Sequence, residues 1–139
     1  LLLKTYRFFI SDKMHRPYKE VFNRPADFRI SYRIYTQEED GRYPLPFQGI
    51  RWNFWYDHPE HKKGQLFMIY PEFEDENEQP ITDLNLPINR QGFAKMWILN
   101  DDYINYHKGK MKNGTIGYFM EGNRKVGECE VIELLNLKS

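Results

Sequence analysis

Cysteine is nearly missing from this chain: Cys129 is the one thiol in 139 residues. That excludes an internal disulfide framework and fits a reducing compartment, so a cytoplasmic protein is expected. An excess of one charge is missing too. Twenty Lys and Arg residues balance twenty Asp and Glu residues, which argues against a domain that holds nucleic acid by bulk charge. No apolar run approaches the ~20 residues of a membrane helix. Leu1-Leu2-Leu3 meets Lys4 and Arg7 too soon to form the core of a signal peptide. No G-x-x-x-x-G-K-[ST] string occurs, so binding of GTP or ATP is not expected. Internal repeats and low-complexity linkers are also absent, and the length is that of one domain.

Aromatic residues are what the chain has in quantity, at 17%. A polar chain so rich in rings is expected to build its core from large side chains carried on strands. Phe28 to Tyr35 alternates strictly, with Phe28, Ile30, Tyr32 and Ile34 on one face and Arg29, Ser31, Arg33 and Tyr35 on the other. Period two of this kind is the mark of a half-buried antiparallel strand. Further strands are expected at Trp52–Tyr56, Leu66–Tyr70, Phe93–Leu99, Thr115–Met120 and Glu128–Leu134. Asp40-Gly41, Lys63-Gly64, Asn113-Gly114 and Gly122-Asn123 supply turns between them. The resulting expectation is an all-β fold, a closed or nearly closed antiparallel barrel of six strands, over residues 26–139. Residues 1–25 read as an N-terminal arm packed on the barrel. Tyr6, Phe8 and Ile10 alternate before Met14-His15-Arg16-Pro17 breaks the pattern.

Charge is balanced overall but not locally. Eight basic side chains fall within residues 1–33, and five carboxylates crowd into Glu72, Glu74, Asp75, Glu76 and Glu78. The acidic run reads either as a solvated loop or as a surface that steers a basic partner. Trp52, Trp55 and Tyr56 lie too close together on one strand for all to point inward, so one ring near Trp55 is expected outside, where aromatic side chains anchor protein interfaces. His58-Pro-Glu-His61 is the one close histidine pair. Its i, i+3 spacing across a proline does not suit metal binding, and no metal or other cofactor is expected. His15 and His107 stand alone and read as surface residues. Cys129, between Glu128 and Glu130, is expected to have a raised pKa and low reactivity. No Ser–His–Asp or Cys–His arrangement has local support, so no catalytic residue is assigned and an enzyme is not expected.

Three ordered stretches carry a resemblance. Gly41-Arg42-Tyr43 through Gly49, Arg51, Asn53 and Phe54 resembles the G-R-x6-G-x-R-P-Q-F-x-F segment of the C-terminal β-barrel of bacterial elongation factor Tu. Glu121-Gly122-Asn123-Arg124-Lys125-Val126-Gly127 resembles that domain's closing E-G-G-R-T-V-G hairpin, and the strand from Phe28 to Tyr35 matches in pattern and spacing. The chain departs from the pattern at Trp52 and Asn53, which stand where the family has Pro and Gln. The resemblance implies the barrel without its nucleotide-binding domain, hence a translation-related binding module that docks tRNA or a translation factor. It puts Arg42, Tyr43, Asn53, Glu121 and Gly122 on the RNA- or partner-facing side. The alternative is an interaction module of the immunity or antitoxin type, covering a basic protein with its acidic run.

Overall fold

A computed structural model describes residues 14–41 and 44–138. Six antiparallel strands form one strongly curled sheet: β1 (Phe28–Ile34), β2 (Asn53–Tyr56), β3 (Ile69–Phe73), β4 (Gln91–Ile98), β5 (Ile116–Glu121) and β6 (Arg124–Leu134). Their order across the sheet is β2-β5-β6-β1-β4-β3. The curl brings the two edges together at one point, where Phe54 and Phe67 exchange backbone hydrogen bonds of 2.9 and 3.0 Å. The architecture is therefore a half-barrel linked by a single bridge. Two one-turn helices, α1 (Tyr18–Val21) and α2 (Ile104–His107), and two short 3-10 turns, Gln37–Glu39 and Asp101–Tyr103, complete the described elements. No helix among the described residues is long and apolar enough to cross a membrane.

The concave side holds the core. Phe28, Ile30, Tyr32 and Ile34 are all buried, as their alternation demands. Opposite them sit Phe54, Tyr56, Phe73, Met96, Ile98, Phe119, Val126 and Val131. Phe119 packs within ring distance of Tyr32, Trp52 and Phe73, so rings rather than aliphatic chains join the strands across the curl. Gly117 makes room for one of them: a Cβ there would lie 2.2 Å from Cζ of Phe54. Gly122, at φ +58°, turns the β5–β6 hairpin as its position after Glu121 led us to expect.

Three local readings need correction. The third strand is displaced from Leu66–Tyr70 to Ile69–Phe73, so it takes in Pro71 and the first residue of the acidic run. His15 is buried rather than exposed, with Nε2 2.5 Å from Glu72 Oε2. His107 is fully buried, and its Nδ1 lies 2.6 Å from the Tyr56 hydroxyl. In each case a partner distant in sequence supplies what local polarity cannot reveal.

The outward edge of β3 is closed by a side chain. Gln48 is buried; its amide nitrogen donates to the carbonyls of Phe73 (2.8 Å) and Ile81 (3.0 Å), and its oxygen accepts from the Phe73 N–H at 2.8 Å. Two residues along the same edge, Pro71 has no N–H to offer.

Candidate docking face

Outward-facing positions of the sheet fall into two halves. Register alone decides this: with Ala94, Met96 and Ile98 buried inside, Phe93, Lys95 and Trp97 must face out. Trp97 is nevertheless 2% exposed, because the arm before β1 covers it. Tyr18 and Phe22 pack on its ring at 6.2 and 5.7 Å, and the Arg24 guanidinium lies 5.6 Å above it. The described part of the arm thus packs on the outside of the sheet. Tyr6 and Phe8 lie outside the described residues.

Asp27 fastens this half. Its carboxylate, wholly buried, accepts from the Ile98 N–H (2.7 Å), Arg24 (2.9 Å) and Asn136 (2.9 Å). The Asp27 carbonyl takes the N–H groups of Leu135 and Leu137. One residue therefore ties the arm, the end of β4 and the segment after β6. Glu72 joins in from β3, accepting from the Tyr18 N–H at 2.7 Å.

The other half is bare. Cross-strand register puts Phe93, Ser31, Glu130 and Ile116 in one row, on β4, β1, β6 and β5. The next row runs Gln91, Arg33, Glu128, Tyr118 and Trp55. Phe93 and Ile116 are 46% and 48% exposed, and small Ser31 between them leaves an open groove of about 570 Å³. At the far end Trp55 stacks on Tyr118 at 6.0 Å, with the Lys125 ammonium 3.8 Å from the Tyr118 ring centroid. Trp55 is the outward ring expected on β2.

Carboxylates dominate the polar part of this face. Arg33 is engaged by Glu39 at 2.8 Å and Glu128 at 3.3 Å. Its hydrogen bond, together with the Thr36 N–H, holds the Glu39 carboxyl down at about 2. Arg29 lies over the Phe93 ring at 4.7 Å and donates to Glu74 through two bonds of 2.9 Å. Hydrogen bonding to Glu74 is also what raises the Arg29 pKa most. Among the described residues Glu130 has no ion-pair partner, so its charge faces the groove uncompensated. Beneath it Cys129 is buried, and burial, more than its acidic neighbours, raises its thiol pKa.

The acidic run divides. Glu72 and Glu74 are buried and partnered, the latter by Arg29 and by Lys95 at 3.3 Å. The expected exposed five-carboxylate surface therefore shrinks to Asp75, Glu76 and Glu78. Asp75 caps its turn by accepting from the N–H groups of Asn77 and Gln79. Glu78 reaches Arg29 at 3.4 Å, which sets the loop beside the Phe93 wall of the groove.

The residues singled out by resemblance gather in part. Asn53 pairs with Met120 across β2 and β5, and Glu121 and Gly122 follow at that same end. Glu121 accepts from Trp52 Nε1 at 2.8 Å and from Arg124 at 3.1 Å. Arg42 and Tyr43 lie outside the described residues. His58 and His61 stand with rings 5.5 Å apart, but His61 Nδ1 is bonded to the Tyr106 hydroxyl at 2.7 Å. Phe93, Ile116, Ser31 and Glu130 were not distinguished in the sequence. The signal that could have found them is strand parity, which leaves Phe93 outside once Ala94 and Met96 are put inside.

Compared with known proteins, the chain matches no family model and no curated protein. What is established is a six-stranded antiparallel half-barrel.

Proposed function

We propose that this chain is a non-catalytic binding module that docks a basic protein on the bare half of its outer sheet face. The observation that carries this is the row Phe93–Ser31–Glu130–Ile116. Two half-exposed apolar side chains flank a carboxylate that has no ion-pair partner among the described residues, with Glu128 in the next row and Asp75, Glu76 and Glu78 at the margin. Apolar contact would supply affinity, and the acidic surround would select for Lys and Arg and speed encounter. The arm already occupies the opposite half, so a partner meets a face of defined extent.

A translation-related partner is the second reading. The curled sheet and the joint placement of Asn53, Glu121 and Gly122 at one end favour it, and the resemblance to the elongation factor barrel names tRNA or a translation factor as its partner. Capture from native lysate separates the two, using wild type, Phe93→Ser/Ile116→Ser and Glu130→Lys side by side. A basic protein retained by wild type, lost by both variants and released by rising salt is the expected result. RNA retained by all three, and lost only on Asn53→Ala, would favour the second reading. A protein held equally by all three would refute docking on this face.

A further inference from the structure

The arm over Trp97 is held in two parts of different strength. At its rear, Arg24 is clamped by Asp27 at 2.9 Å, by the Ile98 carbonyl and by Asp101 at 3.5 Å, and the Asp27 N–H donates to the Met96 carbonyl of the sheet. Ahead of Arg24 the hold is thinner. Glu72 Oε2 meets His15 Nε2 at 2.5 Å and takes the Tyr18 N–H at 2.7 Å, the His15 N–H reaches the Thr82 carbonyl, and Tyr18 and Phe22 rest on the Trp97 ring. Within residues 14–23 His15 alone is buried, and α1 buries none of its residues. Asn23 joins the two parts at φ 54°, a left-handed conformation that Asn tolerates and seldom prefers.

Lifting the front part strands nothing inside the sheet. Glu72 shares the outer face with its cross-strand neighbour Lys95, so its carboxylate would pass into water beside a cation. The hydrogen bonds of α1 run from Glu20, Val21 and Phe22 back to Pro17 and Tyr18, and travel with it. What changes is Trp97. With the arm closed, the docking face ends short of it; uncovered, it adds an aromatic anchor four residues along β4 from Phe93, about 13 Å away.

We propose that residues 14–22 form a strap, hinged at Asn23 and latched on Glu72, which opens while the sheet stays folded and so sets how often Trp97 is offered to a partner. Few buried apolar contacts and a largely exposed backbone place a segment at the low end of local stability. The opening belongs to the free protein, whereas its use as a cover rests on the docking reading above. A partner that needs Trp97 binds in proportion to the open fraction, so a looser latch means tighter capture.

Native-state amide exchange, read by NMR over a series of low urea concentrations, tests the opening. The amides of His15, Tyr18 and Phe22 are expected to share one opening free energy that hardly depends on urea. Those of Asp27, Ile30 and Ile98 should follow global unfolding, with its steep urea dependence. Val131→Ala, in the core, should speed exchange of the second group and leave the first unchanged. Glu72→Gln and Phe22→Ala each remove a contact of the closed strap and should speed the first group about tenfold. Phe22→Ala lies wholly on the arm, so it reads the latch without touching β3. One free energy and one urea dependence for all six amides would overturn the strap, as would arm amides that neither variant accelerates. In lysate capture at limiting protein, both variants should retain up to about tenfold more of the basic protein than wild type. Equal retention with the strap shown open would overturn its use as a cover, and an opening strap in a protein that captures nothing would refute the docking reading alone.

Discussion

Acidification should weaken the fold through His107 before most carboxylates titrate. The groups facing this ring are Tyr56, Phe67, Tyr106, His61 and Lys110. None is an anion, and burial is the main cause that lowers its pKa from 6.5 to about 4, with His61 and Lys110 adding to it. Between those values the unfolded chain takes up a proton that the folded protein refuses. Stability is therefore fully present above about pH 6.5 and lost as pH falls toward 4. A depression of that size corresponds to about 3 kcal/mol in all, of which roughly 2 kcal/mol goes between pH 7 and 5. That is a large share of the 5–15 kcal/mol typical of a domain. Burial also lowers the His61 pKa, so its contribution has the same sign. Urea unfolding at a series of pH values should show the loss, and His107→Gln isolates it by keeping an amide against Tyr56 while removing the titration. The stability gap between wild type and variant should narrow by about 2 kcal/mol from pH 7 to 5. Parallel curves over that range would refute the burial of a neutral imidazole.

Other substitutions test the framework. Asp27→Ala strands the buried Ile98 N–H and removes one of the acceptors of Arg24, which keeps the Ile98 carbonyl, and should cost about 1–3 kcal/mol in denaturant unfolding. Gly117→Ala drives a methyl into the Phe54 ring, and a loss of about 1–3 kcal/mol is expected, read as a lower thermal midpoint. Gln48→Leu strands the Phe73 N–H, while the Phe73 carbonyl keeps the Ile81 N–H, and should cost about 1–3 kcal/mol; amide exchange at Phe73 would rise with it, and unchanged protection there would count against the assignment.

The sheet was legible where burial is one-sided. Phe28 to Ile34 alternates because one face meets the core and the other does not, and that contrast is written in consecutive residues. The same alternation puts Gly127, Cys129 and Val131 inside on β6, whereas Val126 joins them out of phase, where the β5–β6 register shifts. β3 was misplaced because its identity depends on distant charges. Glu72 and Glu74 can enter the folded interior only where His15, Arg29 and Lys95 arrive to meet them, and those partners lie 21 to 57 positions away. Local polarity pointed to a solvated loop instead. His107 was hidden for the same reason, since Tyr56 and Phe67 bury it from across the fold. Of the docking face, Trp55 was readable from crowding on β2. Phe93 and Ile116 became visible only once the arm was seen to cover Trp97 and leave them bare.

The amide of Gln48 bears on how the molecule behaves in a crowd. A sheet that curls without closing leaves strand edges, and an open edge recruits strands from other molecules into fibrils or swapped dimers. At β3 that recruitment site is answered from within: Gln48 occupies the hydrogen-bonding groups of Phe73, and Pro71 contributes no donor. One glutamine, with the Ile81 N–H beside it, thus stands in at this point for the strand that would seal the barrel. It lets the half-barrel remain open in shape while this stretch of the β3 edge is already occupied. Loss of that side chain should therefore matter most at high concentration, where a modest local defect becomes a nucleus for assembly.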